Sequence, residues 1–303
     1  MSKAQTVHFY LEDALRKSAQ AGEHNFINLI VDVLKEANLE PVFDHLPIKG
    51  KPSEGLSLTH LAQPPNDNGL VFRRVYHYPF WRIEAVAQRW HWDVAQMAFD
   101  PAQADTDALR FYRYWQKRLF GDAPQNARRD SYIYVPLQGK LDQQRVFQSC
   151  TPLEMIGHCL KHGGGRPVIA ALHPSEKYSQ IELAQLKALA ATEPRLTIDT
   201  GNMVQHLQGC DFVATQNSGV AFSGFFFGKP ALLFGQIDFH HITTRADLGA
   251  LGESFATVAE AAPPFAEYVW WFWQAQSINA GRPDAKEKIA ARLRRFGWPV
   301  PQA

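Results

Sequence analysis

Three short polar groupings stand where apolar runs end, and each could do chemistry. The run SYIYVPLQGKLD (131–142) ends in Gln138 and Asp142. The run RPVIAALHPSEKY (166–178) carries His173-Pro174. The run CDFVATQNSGVAFSGFFFGKPALLFG (210–235) carries Asn217-Ser218-Gly219 and then Gly228-Lys229-Pro230. At Asn217-Ser218-Gly219 a predicted strand turns into a predicted helix. Free N–H groups at a helix start, with the Ser218 hydroxyl, suit a phosphate; a plain N-cap accounts for the same residues. His173 at a strand end can donate to a phosphate or carboxylate and titrates near neutrality, or it caps a turn. Asp142 is a carboxylate just past a strand end, able to serve as nucleophile or base or to cap a turn. Gly228-Lys229-Pro230 has a conformational explanation, a tight turn back to a strand.

Earlier in the chain, Arg73, Arg74, Tyr76, His77, Tyr78, Trp81, Arg82 and Glu84 form a dense polar-aromatic cluster. Aromatic faces suit sugar rings, and arginines suit carboxylates or phosphates. Glu84 is a candidate acid/base; a helix face with solvated charges is the other reading. Asp238, His240 and His241 invite a metal, but no fourth ligand accompanies them and a polar loop accounts for them better. No metal is expected.

These residues need elements to hold them. The second half alternates strand and helix: strands at 131–137, 167–172, 196–199, 211–215 and 230–234, and helices at about 151–162, 179–191, 202–208 and 218–227. Thr151-Pro152 with Glu154 three residues on is a capping-box pattern. The chain opens with a strand at 6–11, then an amphipathic helix from about 22 to 38 with Phe26, Leu29, Ile30, Val33 and Leu34 on one face, and a strand at 40–44. Residues 45–69 read as loop and 70–78 as a strand, with helical spacing over FWRIEAVAQRW after Pro79. Another helix is predicted over 102–120, and 264–296 reads as helical. Such alternation indicates an α/β protein with parallel sheets covered on both faces. The expected division is 1–128, 129–262 and a helical tail 263–303, packing back on the N-terminal domain.

Composition narrows the function classes. With 303 residues, 46% hydrophobic and net charge +1, the chain can bury two domain cores and carries no field suited to nucleic acid. Three scattered cysteines form no disulfide framework, which fits a reducing compartment. The opening residues lack the apolar core of a leader, and no apolar run reaches the ~20 residues of a membrane span. A cytoplasmic protein is expected, with association at the inner face of the membrane left open.

The order of these motifs resembles the capsule polysaccharide biosynthesis family, which includes bacterial transferases of Kdo, a 3-deoxy sugar acid, from CMP-Kdo. Pro136-Leu137-Gln138 with Asp142 resembles the opening strand of that family, VIAALHP its HP strand, and 211–235 its nucleotide-binding strand–turn–helix. The resemblance covers roughly 131–241. It implies a GT-B fold: two Rossmann-like domains with parallel sheets and a cleft between them. It also implies a metal-independent, retaining transfer with no cofactor beyond the CMP-sugar donor, and a glycan or glycolipid acceptor. On that reading Asp142 attacks the anomeric carbon. Gln138, His173, Pro174, Asn217, Ser218, Gly219 and Ser223 line the nucleotide. Arg73, Arg74, His77, Tyr78 and Arg82, with Glu84, lie on the acceptor side. The chain departs from the family pattern at Ser223, where a Glu commonly meets the ribose, and at Leu172, where a Lys often stands. Two further functions stay open: a UDP-sugar transferase or epimerase, and a non-catalytic member of a capsule assembly system.

Overall fold

The computed structural model describes residues 5–50 and 54–301. Two compact units emerge, one formed by the chain up to Met97 together with Phe272 onward, the other by Ala98–Trp271.

The first unit opens with β1 (Gln5–Leu11), α1 (Asp13–Gln20), α2 (Asn25–Glu36) and β2 (Leu39–His45). Helix α2 turns Phe26, Ile27, Ile30, Val33 and Leu34 inward against Val7, Phe9 and Leu11. Its first turn is closed by His24, whose ring nitrogen accepts from Ile27 N at 3.2 Å. Strands β3 (Leu56–His60), β4 (Gly69–Arg74) and β5 (Phe80–Glu84) follow. After the second unit the chain returns as β12 (Ile278–Asn279) and α11 (Ala285–Arg295). The sheet order is β12-β5-β4-β3-β1-β2. Strands β2, β1, β3 and β4 run parallel, and β5 and β12 are antiparallel additions.

Three sequence expectations fail here. The 45–69 segment contains β3, hidden because its five residues LSLTH are short and set among turn residues. FWRIE is strand β5, not helix. Its helical spacing is overridden by antiparallel pairing with β4, which puts Arg82 opposite Arg73 and Ile83 opposite Phe72. Likewise the 264–296 tail is not one helix. It comprises α10 (Phe265–Val269), a π-helical stretch Trp270–Ala275, the edge strand β12, and α11.

The second unit contains α4 (Ala108–Phe120), then β6 (Ile133–Pro136), α5 (Pro152–His162), β7 (Val168–Leu172), α6 (Gln180–Thr192), β8 (Leu196–Thr200), α7 (Met203–Gly209), β9 (Phe212–Thr215), α8 (Gly219–Phe225), β10 (Ala231–Leu233), β11 (Thr244–Arg245) and α9 (Leu251–Glu260). Its sheet is wholly parallel in the order β11-β10-β9-β6-β7-β8. One face packs Ile133, Val135, Val168 and Phe212 against Met155, Ile156, Leu186, Phe255 and Val258 of α5, α6 and α9. Tyr134, on the alternate face, meets His206 of α7 with ring centroids 4.9 Å apart. Helix α5 carries the capping box read from Thr151 and Glu154. Helix α4 belongs to this unit: Tyr112 donates its hydroxyl to Phe225 O at 2.8 Å and stacks on Phe226. That contact places the unit division at Met97 and Ala98, ahead of the position 128 expected from composition.

In the first unit Trp273 is fully buried, stacks on Phe80 with centroids 4.5 Å apart, and donates Nε1 to Val75 O at 3.2 Å. Trp273→Ala should cost about 3–5 kcal/mol of stability. Trp273→Phe, which keeps the stack but loses this hydrogen bond to a carbonyl that His77 N still serves at 2.8 Å, should cost about 0.5–1.5 kcal/mol. Urea unfolding of both variants checks the order; no loss in Trp273→Phe would deny the hydrogen bond a role, and equal losses would deny one to the stack.

Candidate functional site

A parallel strand delivers its following loop to the C-terminal edge of the sheet. Where the strand order reverses, two such loops diverge and leave a crevice. Each unit has one reversal. In the second unit β6 lies between β7 and β9, so the chain goes one way to β8 and then starts again from β9. The loops after β6 and β9 flank that point. They carry Gln138 and Asn217-Ser218 respectively, and the next strand over, β7, ends at His173.

The side chains there are partly committed. Ser218 is buried; its hydroxyl oxygen accepts from Val220 N at 3.3 Å, so it caps α8. Its own N–H donates to Thr215 Oγ1 at 3.3 Å. Asn217 is half-buried and donates to Gln236 O at 3.4 Å. Gly219 is the first residue of α8 and half-buried, whereas Ser223 is buried one turn on. His173 is exposed, and its Nδ1 accepts from Ser175 N at 3.2 Å. In the neutral ring that bond leaves the proton on Nε2, aimed away from the turn and able to donate. Pro174 beside it is exposed. Asp142 is exposed in the turn after Leu141, whose N–H is held by Glu182 Oε1 at 2.6 Å. The structure therefore brings Gln138, His173, Asn217, Ser218 and Gly219 to one sheet edge and puts Asp142 on the loop that leaves it.

Sequence reading missed the rest of that loop. Residues 143–150 fold back over β9 and β10: Gln148 bridges Gly235, Gln236 N donates to Phe147 O at 2.8 Å, and Gln216 Nε2 donates to Cys150 O at 2.9 Å. Any residue but glycine at 235 would drive a Cβ to 2.8 Å from Gln216 O. Gln138 Oε1, Gln148 Nε2, Gln216 Oε1 and Arg145 Nε and Nη2 are buried without a hydrogen-bond partner. Buried polar atoms without partners are uncommon, and a group of them at a strand-end edge points to a polar occupant. The nearby Gly228 has φ +66°, the left-handed turn that the Gly-Lys-Pro motif suggests. Lys229 is buried and donates Nζ to Arg128 O, with burial lowering its pKa; it is an internal tie.

In the first unit the reversal lies between β1 and β3, flanked by the residues after β1 and the end of β3. Glu12 and His60 stand there, and His60 Nδ1 lies 2.8 Å from Glu12 Oε2. His24 shares this edge. Burial lowers its pKa, and the charges of His60 and Arg74 lower it further. Glu12 and His60 are 48 positions apart in the chain, and nothing in the local pattern marks them as a pair.

The polar-aromatic cluster of 73–84 divides. Arg73 is half-buried and Arg74 exposed at the end of β4; His77 is half-buried and Tyr78 exposed in the turn to β5. Burial, then the nearby Arg74 charge, pushes the His77 pKa down to about 4. Arg82 and Glu84 lie inside: Glu84 is 2% exposed, its Oε1 3.6 Å from Arg82 Nη1 and its Oε2 2.6 Å from Arg292 Nη2. Burial raises the Glu84 pKa against the pull of both arginines. So enclosed, Glu84 holds α11 on β5 and is no acid/base for a bound substrate; this corrects the role read from its place in the cluster.

Among the described residues no group of three or more His, Cys, Asp and Glu side chains could hold a metal ion. His240 Nδ1 and His241 Nδ1 are engaged by Ile237 O and the Tyr268 hydroxyl, each at 2.9 Å. No described helix is long and apolar enough to cross a membrane.

No family model matches the chain, and no curated protein matches its sequence. Among solved structures, it is similar to a KpsC beta Kdo 2,7 transferase of Thermosulfurimonas dismutans, with TM-score 0.52 and 13% identity over 88% of each chain. It also matches a KpsC beta Kdo 2,4 transferase of that organism (TM-score 0.49, 11% identity, 89% of this chain and 98% of that one). A UDP-GlcNAc 2-epimerase from Neisseria meningitidis matches at TM-score 0.34 and 11% identity, over 96% of this chain and all of the other. The first likeness establishes the fold: α/β, of the GT-B kind, with two parallel-rich six-stranded sheets.

The His77 shift has a consequence for stability. A histidine with a depressed folded pKa favours the native state above its unfolded value, 6.5, and that stability is lost as pH falls from 6.5 towards about 4. At ~1.4 kcal/mol per pH unit the loss is at most about 3.5 kcal/mol, less for solvent screening at a half-buried ring. His77→Gln should flatten the acid limb of a stability–pH curve; an unchanged limb would remove His77 from it.

Proposed function

We propose that the chain is a glycosyltransferase that moves an acid sugar, Kdo or a close relative, from a CMP donor onto a surface polysaccharide or glycolipid. The observation that carries this reading is the reversal between β6 and β9, which sets Gln138 and Asn217-Ser218-Gly219 side by side on the sheet edge that ends in His173. The motif order in the sequence and the likeness to the KpsC beta Kdo 2,7 transferase fold support the same reading.

In this proposal the second unit handles the donor. The phosphate of CMP accepts from His173 Nε2 and from the Gly219 N–H, while Gln138 Oε1, Gln148 Nε2 and Gln216 Oε1, the unpartnered atoms of those amides, meet polar atoms of the nucleotide. Asp142 attacks the anomeric carbon as the bond to the phosphate oxygen breaks, and CMP leaves with the electron pair. An acceptor hydroxyl then displaces the carboxylate and releases its proton to a base. Two displacements retain the anomeric configuration. The exposure of Asp142 on a loop leaves its carboxylate available to a substrate. Arg73, Arg74, His77 and Tyr78, with the Glu12–His60 pair, form the acceptor-side surface of the first unit; Arg82 supports it from inside. The donor needs no metal in this scheme, since hydrogen bonds to the phosphate offset the charge that develops on it. Neither an anionic nor a glycolipid acceptor requires the protein to enter a membrane.

Asp142→Ala should abolish transfer while leaving CMP affinity within about twofold. His173→Ala should weaken CMP binding about tenfold, the loss of one charge-assisted hydrogen bond. Calorimetry with CMP and a transfer assay with CMP-Kdo read these effects. Full turnover by Asp142→Ala would remove the nucleophile assignment. Stabilisation by UDP or GDP, with none by CMP, would overturn the donor class. No stabilisation by any of the three would favour a non-catalytic member, the reading to which Ser223 in place of a Glu lends weight.

A further inference from the structure

A cavity of about 570 Å³ opens within the first unit, beside β5 and bordered by α3 (Asp93–Gln96) and α11. Its origin is topological. Strand β12 pairs only with Phe80 and Trp81, so β5 continues past it through Arg82, Ile83 and Glu84 with no strand on that side among the described residues. Arg292 fills part of the gap, its Nε donating to Ile83 O at 2.8 Å.

The lining is rich in donors. Arg82, Lys288, Arg292 and Arg295 supply four cations and Asp93 is the single carboxylate in the wall; behind the wall Glu84 pairs with Arg82 and Arg292, and Asp284 pairs with Lys288. Asp93 Oδ2 is already shared, 2.6 Å from Arg292 Nη1 and 3.0 Å from Arg295 Nη2. Trp81, another wall residue, is 5% exposed, and its indole Nε1 has no acceptor. Guanidinium, ammonium and indole groups only donate. Ile83, Met97, Ile278 and Ala291 supply an apolar part of the wall, and Gln96, Gln276 and Ser277 add neutral polar groups. A space of this size lies within the range of small-molecule sites, about 300–1,000 Å³.

We infer that this cavity binds a small organic anion, a carboxylate or phosphate on an apolar body, seated between the arginines of α11 and the edge of β5 that β12 leaves without a strand. Arginine forks match the paired oxygens of either group, and the apolar wall takes the body. The site lies wholly in the first unit, apart from every residue assigned to the donor, and does not depend on the proposed transfer.

Calorimetric titration of the whole protein with benzoate and, separately, with inorganic phosphate tests it. Benzoate should bind with a Kd on the order of 1 mM, phosphate more weakly and in competition with it. Arg295→Ala, a change at a largely exposed side chain, should weaken benzoate at least tenfold, and Lys288→Ala should weaken it less. Ser218→Ala should leave it unchanged. Binding of phosphate in preference to benzoate, still lost in Arg295→Ala, would support the anion site and identify the phosphate group as its ligand. No heat from either anion, equal affinity in Arg295→Ala, or loss of binding in Ser218→Ala would overturn the inference.

Discussion

Everything that gives this chain a site follows from one constraint: consecutive parallel strands must be joined by crossovers, so all their C-terminal ends fall on one edge of the sheet. Helices can cover the two faces only if the chain winds in both directions from a starting strand. The start of the second winding creates a gap between loops that no helix fills. The first unit meets this condition between β1 and β3, the second between β6 and β9. Polar side chains gather at both gaps, Glu12 with His60 in one and Gln138 with Asn217-Ser218 in the other.

The charged groups divide by what surrounds them. Lys229 and Glu84 are 2% exposed each, and both are spent on internal ties, one to a backbone carbonyl and one to two arginines. A buried charge needs such partners, and removing one partner costs several kcal/mol. His173 and Arg74 instead lie exposed at strand ends, and Asp142 lies exposed on the loop after β6. A motif's residue types do not separate these two fates. The lysine of Gly-Lys-Pro and the glutamate after the Arg-Tyr-His cluster look as reactive in a sequence as Asp142 does.

Interior ion pairs also shape the first unit. Strand β12 is two residues long and leaves most of β5 without a partner on that side, so α11 must close the edge with side chains. Arg292 does this with three separate contacts, to Ile83 O, Asp93 and Glu84. The same substitution of side chain for strand leaves a donor-lined cavity behind it.

The sequence by itself determined the local elements wherever period and caps agreed. The β-α alternation of 131–234, the Thr151–Glu154 capping box and the inward face of α2 were legible because each depends on neighbours within a few residues. Partners distant in the chain decided the rest. FWRIE became a strand because β4 lay ready to pair with it, and the tail broke at β12 because β5 accepted an edge strand. The strand ends carrying Gln138, His173 and Ser218 were readable, but their meeting at a reversal of strand order was not, since sheet order is set by packing of whole crossovers. Glu12 and His60 are the plainest case: a 2.8 Å contact made by residues that only the alignment of β1 beside β3 brings together.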